Sequence, residues 1–211
     1  MYPLSTLIIN NFTRMKKIIL ILLYQGLNVN AQHSTTKYEY HWAIIHPIAA
    51  IKIKKQLPKA LEIYKLIEKQ KVLDTFSFGG KLDAFRHSFV MAYLSRSTSI
   101  DKLRKLGIAH EKGNKLNFYK NKLEYNERAD SLACEMDLRN NELGFIIGIS
   151  NKKASDEELK QIIISEIKNG KAWYLKRNTN YQYLTCNEEP INLFDYKSIW
   201  YIPKCLIKTN E

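Results

Sequence analysis

The apolar positions of the chain recur at helical spacing for most of its length and lose that period near the C-terminus. After His46-Pro47, where the proline suits a first helical turn, Ile48, Ile51 and Ile53 follow a helical pattern. A second pattern opens at Pro58 and carries Leu61, Tyr64, Leu66, Ile67 and Leu73. Residues 32–42 are polar and aromatic and read as an extended lead-in. Phe76 to Gly80 reads as a turn, because paired glycines reach backbone conformations that other residues resist. From Leu82 to about Ser95 the chain is apolar nearly all round. Leu82, Phe85, Phe89 and Tyr93 fall on one side and Val90, Met91 and Leu94 on another, which places this helix at the centre of the fold.

A helix from about Ile100 to Lys112 puts Leu103, Leu106, Gly107 and His110 on one face, with Gly113 as its expected C-terminal cap. The lysine-rich stretch from Asn114 to Arg128 then reads as a surface loop able to act as a lid. A third helix, about Ala129 to Ile149, has a core stripe of Leu132, Met136, Leu143 and Ile147 beside a polar stripe of Asp137, Asn140, Asn141 and Gly144. Ser155 and Glu158 form a capping-box signal for a helix that ends at Gly170. Ala172 to Lys176 and Tyr181 to Thr185 read as short strands, followed by a tail rich in aromatic and β-branched residues. The expected fold class is mainly α. A compact helical domain spans 32–170, and a small β-rich C-terminal appendix spans 171–211.

Composition narrows the partners. With 211 residues and 45% hydrophobic content, one domain with a real core is expected. The net charge of +12 would suit an anionic substrate or an envelope polymer. The lysines are scattered singly or in pairs with no arginine-rich block, which argues against nucleic acid. Residues 1–31 carry an export pattern: Met15, Lys16 and Lys17 as a basic start, an apolar run from Ile18 to Tyr24, and small residues up to Ala31. That run falls short of the roughly 20 residues that span a bilayer. A cleaved signal, residence outside the cytoplasm and no membrane span after cleavage are therefore expected, with residues 1–14 an upstream extension and Met15 an alternative start. Three cysteines match no zinc spacing. In an exported chain Cys186 and Cys205 are candidates for a disulfide, and Cys134, on an apolar helix face, reads as a small buried residue.

The chemistry concentrates between Gly79 and Gly144, where ionisable residues sit deep in apolar context. Asp83 and His87 are four apart on one helical face, with Arg86 beside them. His110-Glu111 and Asp137 lie on the next two helices. Burying such groups unpaired costs several kcal/mol, so they must be paired, hydrated or bound to a ligand. His87, His110, Asp137 and Asp83 are candidate ligands of a divalent metal such as zinc or manganese. Glu111 is the candidate base that activates water, with His87 as its acid/base partner and Arg86 as an anion clamp. Asn140 and Asn141 are candidate substrate-binding residues. His87, His110-Glu111 and Asp137 resemble, in order, the His, His-Asp, Asp pattern of helical metal-dependent phosphohydrolases, with Glu in place of the paired Asp and shorter intervals. The zinc-protease HExxH pattern is absent, since His110-Glu111 is followed by Lys112, Gly113 and Asn114.

DAFRH, HEKGN and EMDLRNNELG, in this order, resemble an uncharacterised bacterial domain family. Its members include short exported proteins of Bacteroidetes-type bacteria and terminal modules of larger secreted polypeptides. The resemblance covers about residues 45–170 and departs mildly at Phe89, where many relatives carry Trp or Tyr. It implies a helical fold and export, without an established reaction. Two readings follow. One is an exported hydrolase, metal-assisted or not, acting on a phosphoester or a cell-envelope component. The other is a non-catalytic binding or accessory module in which the polar residues form a buried network that fixes helix packing.

Overall fold

The computed structural model describes residues 35–211. The export pattern and the alternative start at Met15 lie outside the described residues. Among the described residues six α-helices run in order: α1 (Lys37–Ile45), α2 (Pro47–Gln70), α3 (Lys81–Ser95), α4 (Ile100–Tyr119), α5 (Ser131–Ser150) and α6 (Asp156–Lys168). Strands β1 (Trp173–Leu175) and β2 (Leu206–Lys208) pair antiparallel, with Tyr174 opposite Ile207. A short 3-10 helix, Leu193–Tyr196, lies between them. The mainly α architecture with a small β-containing appendix is the one the apolar periodicity predicts.

α3 is the axis of the molecule. Phe85, Phe89 and Ala92 on it are fully buried, and α2, α5 and α6 close around them with Tyr64, Ile147 and Ile163. On a second side, Leu94 meets Trp42, Ile53, Leu103 and Phe145 from α1, α2, α4 and α5. α3 and α5 approach to backbone contact. A Cβ on Gly144 would strike the carbonyl of Ser88, and one on Gly148 would strike Ser95 and Ala92. The glycines of α5 thus allow its polar stripe to reach α3.

Four local expectations are corrected. Residues 37–42 of the lead-in are helical, as the first part of α1, and Thr36 with Glu39 supplies the start: the Thr36 amide donates to Glu39 at 2.7 Å. Pro58 does not begin a helix but sits inside α2. It is exposed, so the core face formed by Ile53, Ala60, Tyr64 and Ile67 runs past it unbroken. Gly113 does not cap α4, which continues to Tyr119. Its missing side chain is filled by that of Thr36, and the expected loop shrinks to residues 120–130. Tyr181–Thr185 forms only isolated bridges, at Tyr183 and Leu184, and the partner of β1 is β2 from the tail. The capping box at Ser155 is present, with its amide donating to Glu158 at 2.7 Å.

The appendix is stapled within itself and tied to the helices by a buried ion pair. Cys186 and Cys205 form a disulfide, and Cys134 is a free, buried thiol. Lys204 inserts its ammonium 2.6 Å from Asp130, both buried, and Asp130 also caps α5 by accepting from the Leu132 and Ala133 amides. Among the described residues no helix is long and apolar enough to cross a membrane.

Candidate functional site

The first turn of α3 is positioned from below by two carboxylates. Asp74 accepts from the Lys81 and Leu82 amides, satisfying orphan donors of the helix start. Asp83 reaches back to accept the Gly79 amide at 2.7 Å, where Gly79 adopts a left-handed φ of 70°. With its other oxygen Asp83 receives Arg86, through Nη2 at 2.6 Å and Nε at 3.0 Å. Arg86 also lies 3.4 Å from Glu124 and stacks over the Tyr125 ring at 4.5 Å. Its planar fork is thus engaged on three sides by the protein, which leaves it poorly placed as the anion clamp expected from sequence.

His87 stands between α3 and α5. Its Nδ1 lies 3.3 Å from Asn141 Oδ1, and its Nε2 lies 3.1 Å from Arg86 Nη2, 3.2 Å from Asp137 Oδ1 and 3.5 Å from Asp83. An arginine can only donate, so Nε2 is the accepting nitrogen and Nδ1–H donates to Asn141. The ring is neutral. Burial, with the nearby charges of Arg86 and His110, holds its pKa well below the ordinary histidine value. Asp137 is displaced the other way: burial, reinforced by the charges of Asp83 and Glu111, holds its pKa well above the usual carboxylate range. Its Oδ1 receives no hydrogen bond despite being buried. A protonated Asp137 fits both facts, because its hydroxyl faces the proton-free Nε2 of His87, an acceptor it shares with Arg86 Nη2. Asp83, which burial raises to about 6 even with Arg86 beside it pulling the other way, is the carboxylate that carries the negative charge of the pair.

A second group abuts the first. His110 Nδ1 lies 3.1 Å from Glu39, and Nε2 lies 4.0 Å from Glu111. Burial opposes its charge, but Glu111 and the bond to Glu39 prevail and raise its pKa to about 9, so it is an imidazolium at neutral pH. Glu111 is buried, accepts from Asn114 at 3.0 Å through Oε2, and has no hydrogen bond at Oε1. Burial raises its pKa, which His110 and the adjacent Cys134 thiol draw back down. His110 is more open than His87, with 24% of its side chain exposed against 10%.

The expected site residues are therefore brought together in part. Asp83, His87 and Asp137 offer ligand atoms within 4.8 Å of one another, a donor set suited to a divalent metal, and His110 is not among them. Arg86 stands at two of those atoms and already supplies a positive charge there, so a metal would have to displace it. Asn140 is saturated elsewhere: its amide exchanges two 2.9 Å bonds with the backbone of Trp173 and ties β1 to α5. Asn141 orients His87. Glu39, Asn114, Glu124 and Tyr125 complete the cluster and are not among the residues expected from the sequence. For Glu39 a signal exists in the Thr36-x-x-Glu39 spacing; Asn114 falls where glycine and lysine mask the end of α4, and Glu124 and Tyr125 fall in the loop after it. An open surface trough lined by Ile149, Lys153, Glu157 and Ile162 shares no residue with the cluster.

The fold and this cluster define a helical domain built around a buried acid-imidazole network. Residues 40–171 match the model of a domain of unknown function (DUF6973), and the chain belongs to that family. No curated protein and no solved structure matches the chain.

Proposed function

We propose that this domain is a hydrolase working by metal-independent acid/base chemistry, with Asp137 and His87 as the pair that holds and passes a proton. The observation that carries this reading is the 3.2 Å contact between His87 Nε2 and Asp137 Oδ1, an oxygen with no other hydrogen bond in a buried site. Two titratable groups whose surroundings push their pKa values in opposite directions are the usual signature of an acid/base assignment. Glu111, with its unmatched Oε1, is the base that activates water, and the charged His110 beside it is the group a substrate meets first. Asp83 and Arg86 hold the pair in place.

The substrate is a phosphoester or a cell-envelope component, met outside the cytoplasm of a Bacteroidetes-type bacterium. Export is supported by the Met15 to Ala31 pattern and by the Cys186–Cys205 disulfide, a bond that persists in oxidising compartments. The test is hydrolysis of bis(p-nitrophenyl) phosphate and of purified peptidoglycan by the exported chain. Asp137→Asn and His87→Ala should each lower turnover at least a hundredfold while thermal unfolding stays cooperative. If both variants turn over as the parent does, the reading is wrong.

The deep burial of the cluster favours one other reading, a packing network without turnover. It predicts that no variant changes any hydrolytic rate and that all of them act on stability alone.

A further inference from the structure

The exposed sides of α1 and α2 carry an arrangement that neither the core nor the polar cluster uses. On α1, Lys37, His41, Ile44 and Ile45 are exposed at helical spacing. Past the bend at His46, Ile48, Ile51, Lys52, Lys55, Pro58 and Lys59 form the exposed stripe of α2. Four isoleucines are thus gathered around one bend, with exposures of 46, 55, 72 and 43% in chain order. They are bracketed by basic residues on both sides. Between Lys37 and Lys59 the acidic residue is Glu39, which is turned inward to Thr36 and His110. Asp101, at the start of the neighbouring α4, faces Lys105 at 2.9 Å, and Asp156 pairs with Lys59 and Arg96. Lys52 and Lys55 remain exposed beside Ile48 and Ile51, with Lys52 also donating to the Ser97 carbonyl.

Solvent gives no reason to gather β-branched apolar side chains in this way, and a cluster of them rimmed by one sign of charge marks a contact surface. The chemistry selects its partner. An apolar patch enters the boundary between headgroups and acyl chains, while flanking lysines meet anionic headgroups, each adding roughly 1 kcal/mol near such a surface. We propose that the α1–α2 bend is a docking surface for an anionic lipid bilayer, with Ile44, Ile45, Ile48 and Ile51 inserting and Lys37, Lys52 and Lys55 at the headgroups. This placement is independent of what the polar cluster catalyses.

The test is sedimentation of the full chain with vesicles of phosphatidylcholine alone or with a third of phosphatidylglycerol. The parent should sediment with the anionic vesicles and be released as salt rises. Ile48→Ser/Ile51→Ser should lower binding at least tenfold, and Lys52→Glu/Lys55→Glu should lower it at low salt. Because these side chains are exposed, both variants should melt with the parent. The apolar run Ile18 to Tyr24 is common to all three chains, so equal sedimentation of parent and isoleucine variant would assign binding to that run and overturn the proposal. Absence of vesicle binding by the parent, or vesicle-independent self-association abolished by the same isoleucine changes, would overturn it as well.

Discussion

Arg86 Nη2 stands 3.1 Å from His87 Nε2, so a guanidinium occupies the direction from which a metal would approach that imidazole. The same nitrogen lies 2.6 Å from Asp83, the second of the three atoms that would hold an ion. Arginine remains charged at every accessible pH, which makes it a permanent substitute for a cation in this position. The melting temperature of the parent should therefore be unmoved by zinc, manganese or a chelator. Arg86→Ala should melt lower than the parent and regain part of the loss when either metal is added. A rise of several degrees for the parent on adding metal would contradict this.

The two aspartates should respond oppositely to the same change. Asp137 is held protonated, so Asp137→Asn preserves its charge and shape and should cost about 1 kcal/mol or less. Asp83 is the nearest buried partner of Arg86, and Asp83→Asn leaves that charge only the longer contact with Glu124, at a cost of about 3 kcal/mol. Urea unfolding of the two variants side by side checks the order. Equal losses would mean that Asp137 is ionised.

His110 gives the domain a pH dependence of known sign. Its folded pKa is about 9 against 6.5 for the free side chain. The folded state thus binds the extra proton more tightly, and the stability this contributes is complete below pH 6.5 and lost as the pH rises through 9. Urea midpoints measured from pH 6.5 to 9.5 should fall by an amount corresponding to roughly 1–3 kcal/mol. His110→Gln should remove most of that slope.

Close approach of α3 and α5 makes a further prediction. Ala at Gly144 places a methyl against the backbone carbonyl of Ser88, which cannot rotate away. Gly144→Ala should cost about 2 kcal/mol or more despite the better helix propensity of alanine, and it should disturb His87, which α5 reaches through Asn141. Thermal unfolding together with the His87 ring resonances would show both effects. An unchanged melting temperature would mean that the helices can part.

Reduction of Cys186–Cys205 opens a loop with a sequence separation of 19 and should cost about 3 kcal/mol. The Cys186→Ser/Cys205→Ser variant should show it as a lower urea midpoint, with hydrogen exchange quickened first in the appendix. A midpoint equal to that of the oxidised parent would refute the estimate.

What was legible in the sequence follows from what periodicity measures. The burial of α3 could be read because Phe85, Phe89 and Tyr93 are apolar on every turn, and the inward polar faces could be read because Asp83, His87, Asp137 and Asn141 interrupt such turns. The helical continuation from Gly113 to Tyr119 could not, since glycine and lysine carry no apolar stripe and the helix there is held by Thr36 from a distant segment. The separation of His110 from the three grouped ligand atoms was equally hidden. Its partner Glu39 lies 71 residues away, and only the packing of α1 on α4 brings them together. Asn140 reads as a substrate residue through its place beside Asn141, although one position of rotation turns its amide to Trp173.

That last contact bears on where the domain ends. Asn140 presents one acceptor and one donor to the backbone of Trp173, as the edge of a sheet would, so a single side chain acts as a strand of length one. The family match stops at residue 171, two positions before the backbone this amide requires. A fragment cut at the match boundary would keep the template and lose its complement, exposing the fully buried Asn140. In this chain the segment after residue 171 is therefore a structural continuation of the matched domain.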